Sequence, residues 1–137
     1  MGYTQSVIHM PFDQLSENPA EDRIWVAIRN PQLQSPETLR PSDVAVDENG
    51  KPVDQNAAVE SMYQIIANLV LAWRVYDTDV EVTVDEATGE AIVGEQKLLP
   101  SVNPSAGRPA TPDMIKRLPM AIITEVMGKV RQGTNPQ

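Results

Sequence analysis

Apolar side chains recur every three or four residues between Ala58 and Tyr76: Ala58, Met62, Ile65, Leu69, Ala72 and Tyr76. That spacing places them on one stripe of a helix, predicted over 54–76, with Asp54 or Asn56 as its cap. Beyond Ile65 the apolar residues spread round the helix through Ile66, Val70, Leu71 and Trp73. A helix end that is apolar nearly all round needs a cover, whether the rest of the domain, another copy or a partner. A second stripe runs through Ile115, Leu118, Ile122, Val126 and Val130. Thr111-Pro112-Asp113 opens it with a cap, a proline at the first position and an acid in the first turn. Pro119 lacks an amide donor and clashes one turn back, so it divides the element. The expectation is a short helix at 112–117, a bend at Leu118-Pro119, and a helix to about Val130.

Period-two signals lie elsewhere. Ile24-Trp25-Val26-Ala27-Ile28-Arg29 is β-branched and aromatic and stops at Asn30-Pro31, as a strand does. Val80-Glu81-Val82-Thr83-Val84-Asp85 alternates strictly. Ala87-Thr88-Gly89-Glu90 then turns the chain towards Ala91-Ile92-Val93, which predicts a peripheral hairpin with little apolar surface. Residues 1–23 read as a polar N-terminal arm with a short strand near Val7-Ile8. Prolines 31, 36, 41 and 52 make 30–53 a connection, with one helical turn at 35–39. Residues 94–110 read as an irregular linker and 132–137 as a frayed tail. The fold class is α+β: a small sheet or hairpins with two main helices, 54–76 and 112–130, packed together. The organisation is an arm at 1–23, a single mixed domain at 24–131 and a flexible tail.

Composition narrows the function. Hydrophobic residues make up 41% of the 137, enough for a core, while aromatics at 4% and twelve prolines leave that core aliphatic and much of the remainder in loops. The net charge of −8 repels nucleic acid and anionic membrane surfaces, but suits a basic or aggregation-prone protein partner. The absence of cysteine removes disulfides, thiolate metal sites and thiol nucleophiles. The start of the chain has neither the basic end nor the apolar core of a secretory signal. Gly2 and Ser6 match a myristoylation start, but nothing polybasic follows to complete an anchor. The run Ile65–Trp73 contains Asn68 and is far shorter than the roughly 20 residues of a membrane span.

Candidate chemistry is sparse. His9 is the lone histidine, in a polar arm without ligand spacing, and no Gly-x-Ser-x-Gly elbow accompanies it. Asp77, Asp79 and Glu81 imitate the start of a calcium loop, but Val82 stands where that loop needs glycine. Alternate acids on a strand also simply share a solvent face. Gly89–Gly94 lacks the lysine and helix of a phosphate loop. The expectation is therefore no enzyme, no catalytic residue, no metal and no cofactor. Met114, Met120 and Met127 fit either core filling or an adaptable binding surface. Trp25 and Trp73 likewise fit core or interface.

One arrangement is more specific. The aliphatic run ending in Ala72-Trp73, followed by Arg74 and Asp77, resembles the corresponding motif of phage tail assembly chaperones from long-tailed bacteriophages. The later pairs Leu99-Pro100 and Leu118-Pro119, the helix start Thr111-Pro112-Asp113, and the tryptophan strand Ile24–Pro31 stand in the order found in that family. The likeness spans about residues 24–130. It departs from the family where a short Asp-x-x-Gly turn after the tryptophan is replaced by the hairpin Val80–Val93. The resemblance implies a non-enzymatic protein of the host-cell cytoplasm, absent from the mature virion, that coats and solubilises the tape-measure protein before tail-tube subunits assemble. The partners implied are the tape-measure protein, the tail-tube protein and further copies of the chain. The partner face expected is Met62, Ile66, Leu69 and Trp73 with Leu118, Ile122 and Val126. The alternative is a structural virion protein, such as a head–tail connector or minor tail subunit, for which long proline-rich arms are suited.

Overall fold

The computed structural model describes residues 5–35 and 55–134, together with Gly2, Leu39, Glu48 and Asn49. The turn signal at 47–50, the helical turn at 35–39 and the cap at Asp54 fall largely outside the described residues.

Three strands form an antiparallel sheet in chain order: β1 (Val7–Pro11), β2 (Trp25–Arg29) and β3 (Val70–Arg74). Ile8 lies opposite Ile28, Met10 opposite Val26, and Val26 opposite Trp73, so these side chains share the inner face. The 1–23 segment is thus partly integral to the domain. Its β1 edges the sheet, and Met10 and Phe12 are buried in the core.

Helix α1 runs from Gln55 to Leu69 and passes directly into β3. The helix predicted over 54–76 therefore ends seven residues early. Val70-Leu71-Ala72-Trp73-Arg74 pairs with β2, whose inner position would otherwise lack a neighbour. The register slips between Ala27 and Ile28: Ala27 faces Ala72 but Ile28 faces Val70, leaving Leu71 as the extra residue of a bulge. Val70 and Trp73 are three apart, so a regular pleat would send them to opposite faces. The bulge lets both point into the core.

A separate two-stranded hairpin follows, β4 (Val82–Val84) with β5 (Ala91–Val93). Asp85 and Gly89 close its turn; Gly89 donates to the Asp85 carbonyl at 2.7 Å and holds φ at 74°, a conformation glycine takes without a Cβ clash. The chain returns past β3, where Leu99 donates to Val75 and Asp77 donates to Lys97.

The C-terminal unit is divided as the prolines require. Helix α2 spans Pro112–Ile115, with the Thr111 hydroxyl accepting from the Met114 amide. After the bend at Leu118-Pro119, helix α3 spans Met120–Thr134. Helix α1 packs against α2, and α3 packs against the turn of 3-10 helix at Pro31–Leu33 that ends β2. Both stripes meet the inner face of the sheet in one cluster that includes Ile66, Leu69, Ile115, Ile122 and Val126. The architecture is α+β.

Candidate partner-binding surface

The seven side chains expected to form a partner face are brought together, but against one another. Exposure is 0% at Ile66, Leu69, Ile122 and Val126, 4% at Leu118 and 5% at Trp73; Met62 is half-buried against the same cluster. The second stripe is buried along its length and the first is helical only as far as Leu69; what covers them is this chain's own sheet and helices. Six of the seven are enclosed in the core of this fold, and Met62 is partly exposed at its edge.

The residues that carry the family resemblance also converge. The Trp73 indole N–H donates to the Pro100 carbonyl at 2.9 Å, which ties the end of β3 to the first Leu-Pro pair. Leu99 and Leu118 are both buried in the cluster that holds Trp73. Asp77 pairs with the Arg117 guanidinium, and Thr78 donates to the Arg117 carbonyl at 3.1 Å, one residue before the second Leu-Pro pair. The Asp79 amide, donating to the Asp77 carboxylate at 2.8 Å, and then Arg117 hold that carboxyl below its ordinary range. Asp77 is thereby a structural acid. Among the described residues no group of three His, Asp or Glu side chains is placed to hold a metal. His9 stacks on the Trp25 ring at 5.1 Å on the outer face of the sheet. Among the described residues no helix is long and apolar enough to cross a membrane.

A polar cluster that sequence reasoning missed ties the first segment to β3. Asp22 pairs with the Arg74 guanidinium and accepts from the Tyr76 hydroxyl at 2.8 Å. The hydrogen bond from Arg74, then that from Tyr76, lowers the Asp22 pKa. The partners stand more than fifty positions apart in the chain, so no local spacing announces them.

The apolar surface that remains lies elsewhere. Of nine exposed large apolar side chains among the described residues, four fall on the hairpin: Val82, Val84, Ile92 and Val93. That concentration marks the hairpin as the surface with most to gain from a cover. Val82 lies opposite Val93 and Val84 opposite Ala91, so all four share one face; Thr83 and Ile92 share the other. The aliphatic face runs down into a cleft of about 390 Å³ lined by Val80, Val82, Val93, Tyr76, Leu15 and Pro119. Comparison of the chain with protein-family models, curated proteins and solved structures finds no match.

Proposed function

We propose that this protein is a non-enzymatic tail assembly chaperone of a long-tailed bacteriophage, which binds the tape-measure protein in the host cytoplasm and keeps it soluble until tail-tube subunits enclose it. The observation that supports this reading is the convergence around Trp73. Trp73, Leu99 and Leu118, each from an Ala-Trp or Leu-Pro element of the pattern, lie in one buried cluster, and the Trp73–Pro100 hydrogen bond joins two of those elements. The acidity fits the role, because a complex of an aggregation-prone chain with a carrier of net charge −8 gains mutual repulsion between particles.

The test is co-expression with the tape-measure protein encoded by the same phage. The expected result is a tape-measure protein that moves from the pellet to the soluble fraction and co-purifies with this chain. Mass spectrometry of purified virions should find the chain missing. Its presence there at fixed copy number would replace the chaperone by a structural virion component.

A further inference from the structure

The hairpin is built in a way that core formation does not explain. From residue 81 to 98 every position is exposed, and neither outer edge of β4 or β5 has a strand neighbour among the described residues. A lone two-stranded hairpin is marginal in water. This one is held by its turn: Asp85 accepts from the Ala87 amide at 2.9 Å, and the Thr88 hydroxyl accepts from Glu90 at 3.3 Å. The turn fixes the shape, so the strands are free to spend their side chains on something outside the molecule. Three valines, β-branched and costly in water, occupy the face that continues into the cleft.

Charge says what that something is. Between Arg74 and Lys97 stand seven carboxylates and no cation: Asp77, Asp79, Glu81, Asp85, Glu86, Glu90 and Glu95. Only Asp77 has a cationic partner in an ion pair among the described residues. The opposite hairpin face is acidic, since Glu81 and Asp85 alternate with Thr83 on β4. Two such arms repel one another, which disfavours a second copy as the occupant. A polyanion or an anionic bilayer is repelled likewise.

We infer that the valine face of the hairpin and the cleft at its base form a docking site for a cationic amphipathic segment of another protein. The segment's apolar side chains cover Val82, Val84 and Val93 and enter the cleft, and its lysines or arginines flank the hairpin carboxylates. This rests on the chaperone reading only for the identity of the natural partner, not for the chemistry of the site.

The probe is an 18-residue Leu/Lys amphipathic peptide, titrated into the full-length ¹⁵N-labelled protein, with a Leu/Glu peptide of the same pattern as control. Expected are amide shift changes confined to residues 76–96 and the cleft, weakened by salt, with no response to the Leu/Glu peptide. Val82→Thr/Val84→Thr/Val93→Thr keeps β-branching and shape while removing apolar contact, and should weaken binding roughly tenfold or more. Glu81→Gln/Glu86→Gln/Glu90→Gln leaves the valines in place, removes three of the six carboxylates that have no ion pair among the described residues, and should clearly reduce the salt dependence. The variants' own hairpin amide shifts report whether the arm still forms. Shift changes elsewhere, an equal response to the Leu/Glu peptide, or unaltered affinity with an intact hairpin in the threonine variant would overturn the site. So would sedimentation showing a dimer that the threonine substitutions dissolve. Co-expression separates this inference from the function above. If the wild-type chain solubilises the tape-measure protein and the threonine variant does so equally well, the chaperone stands and the docking site falls. If neither rescues it while the peptide binds as expected, the chaperone falls and the site stands.

Discussion

Leu69 is the last residue of α1, and its side chain is fully enclosed where helix gives way to strand. Truncating such a leucine to alanine costs about 2–5 kcal/mol, set by how far the surroundings collapse. Leu69→Asp adds a second cost. The enclosed carboxyl has to be held neutral at pH 7, some three units above its ordinary value of about 3.9, which costs about 4 kcal/mol. The sum, about 6–9 kcal/mol, rivals the whole stability of a domain this size, about 5–15 kcal/mol. Leu69→Asp is therefore expected to be largely unfolded at pH 7, whereas Leu69→Ala folds with a lowered urea midpoint. The sign of the pH effect follows from a folded-state pKa raised above the unfolded one. The protonation cost vanishes below about pH 3.9 and grows as the pH rises above it, so the gap between the Asp and Ala variants closes on acidification. Circular dichroism in urea at pH 4 and pH 7 reads all of this, with Val84→Asp on the exposed hairpin as a control expected to stay within about 0.5 kcal/mol of wild type. A Leu69→Asp protein that unfolds cooperatively at the wild-type midpoint would refute the enclosed placement and restore the helix stripe as a surface.

Three further outcomes follow from single contacts. Trp73→Phe leaves the Pro100 carbonyl without its indole donor and should lower stability by about 1–3 kcal/mol in urea unfolding. Ser61→Ala should be neutral or stabilising by up to about 1 kcal/mol on the same assay, because the Ser61 hydroxyl is buried on α1 with no partner among the described residues and alanine is the better helix former. Asp22, whose pKa is lowered by Arg74 and then Tyr76, contributes stability that is present above its unfolded value of about 3.8 and is lost as the pH falls through the lower folded value. Asp22→Asn should flatten the acid limb of a plot of melting temperature against pH, and an unchanged limb would show that the cluster does not couple to folding.

The helix-to-strand change at Leu69 and Val70 shows where local pattern stops being decisive. A helical period continued to Tyr76 places Leu69, Ala72 and Tyr76 on its stripe. A strand with a bulge at Leu71 buries Val70, Trp73 and Val75. The two readings share most of the same apolar run, and short apolar runs do not distinguish helix from strand by period alone. What decides between them is β2: Trp25–Arg29 needs a second neighbour for its backbone groups, and β3 provides it from more than 40 positions away. The prolines, by contrast, act locally, and so the break between α2 and α3 and the Thr111 cap were legible from the residues themselves.

Which side chains share a face was legible; what lies against that face was not. The apolar faces that carry Ile66 and Leu69 on one helix and Ile122 and Val126 on another are as compatible with a partner's groove as with a core, because amphipathic pattern carries no identity for its cover. The cover comes partly from Met10, Phe12 and Ile24, in a polar proline-containing stretch whose few apolar residues have no helical or strand-length period. Once those residues close the core, the helices have no apolar stripe left to offer. The strict alternation of Val82 and Val84 then changes meaning. Alternation ordinarily marks a strand with one face against its own protein, and here that face meets solvent and an open cleft. Hydrophobic patterning assigned the binding surface to the longest stripes, whereas long stripes are the ones a small domain can least leave uncovered. A short stripe on a hairpin with a self-sufficient turn can stay exposed without unfolding the rest, and that is the physical ground for placing the inferred docking site on the hairpin rather than on the helices.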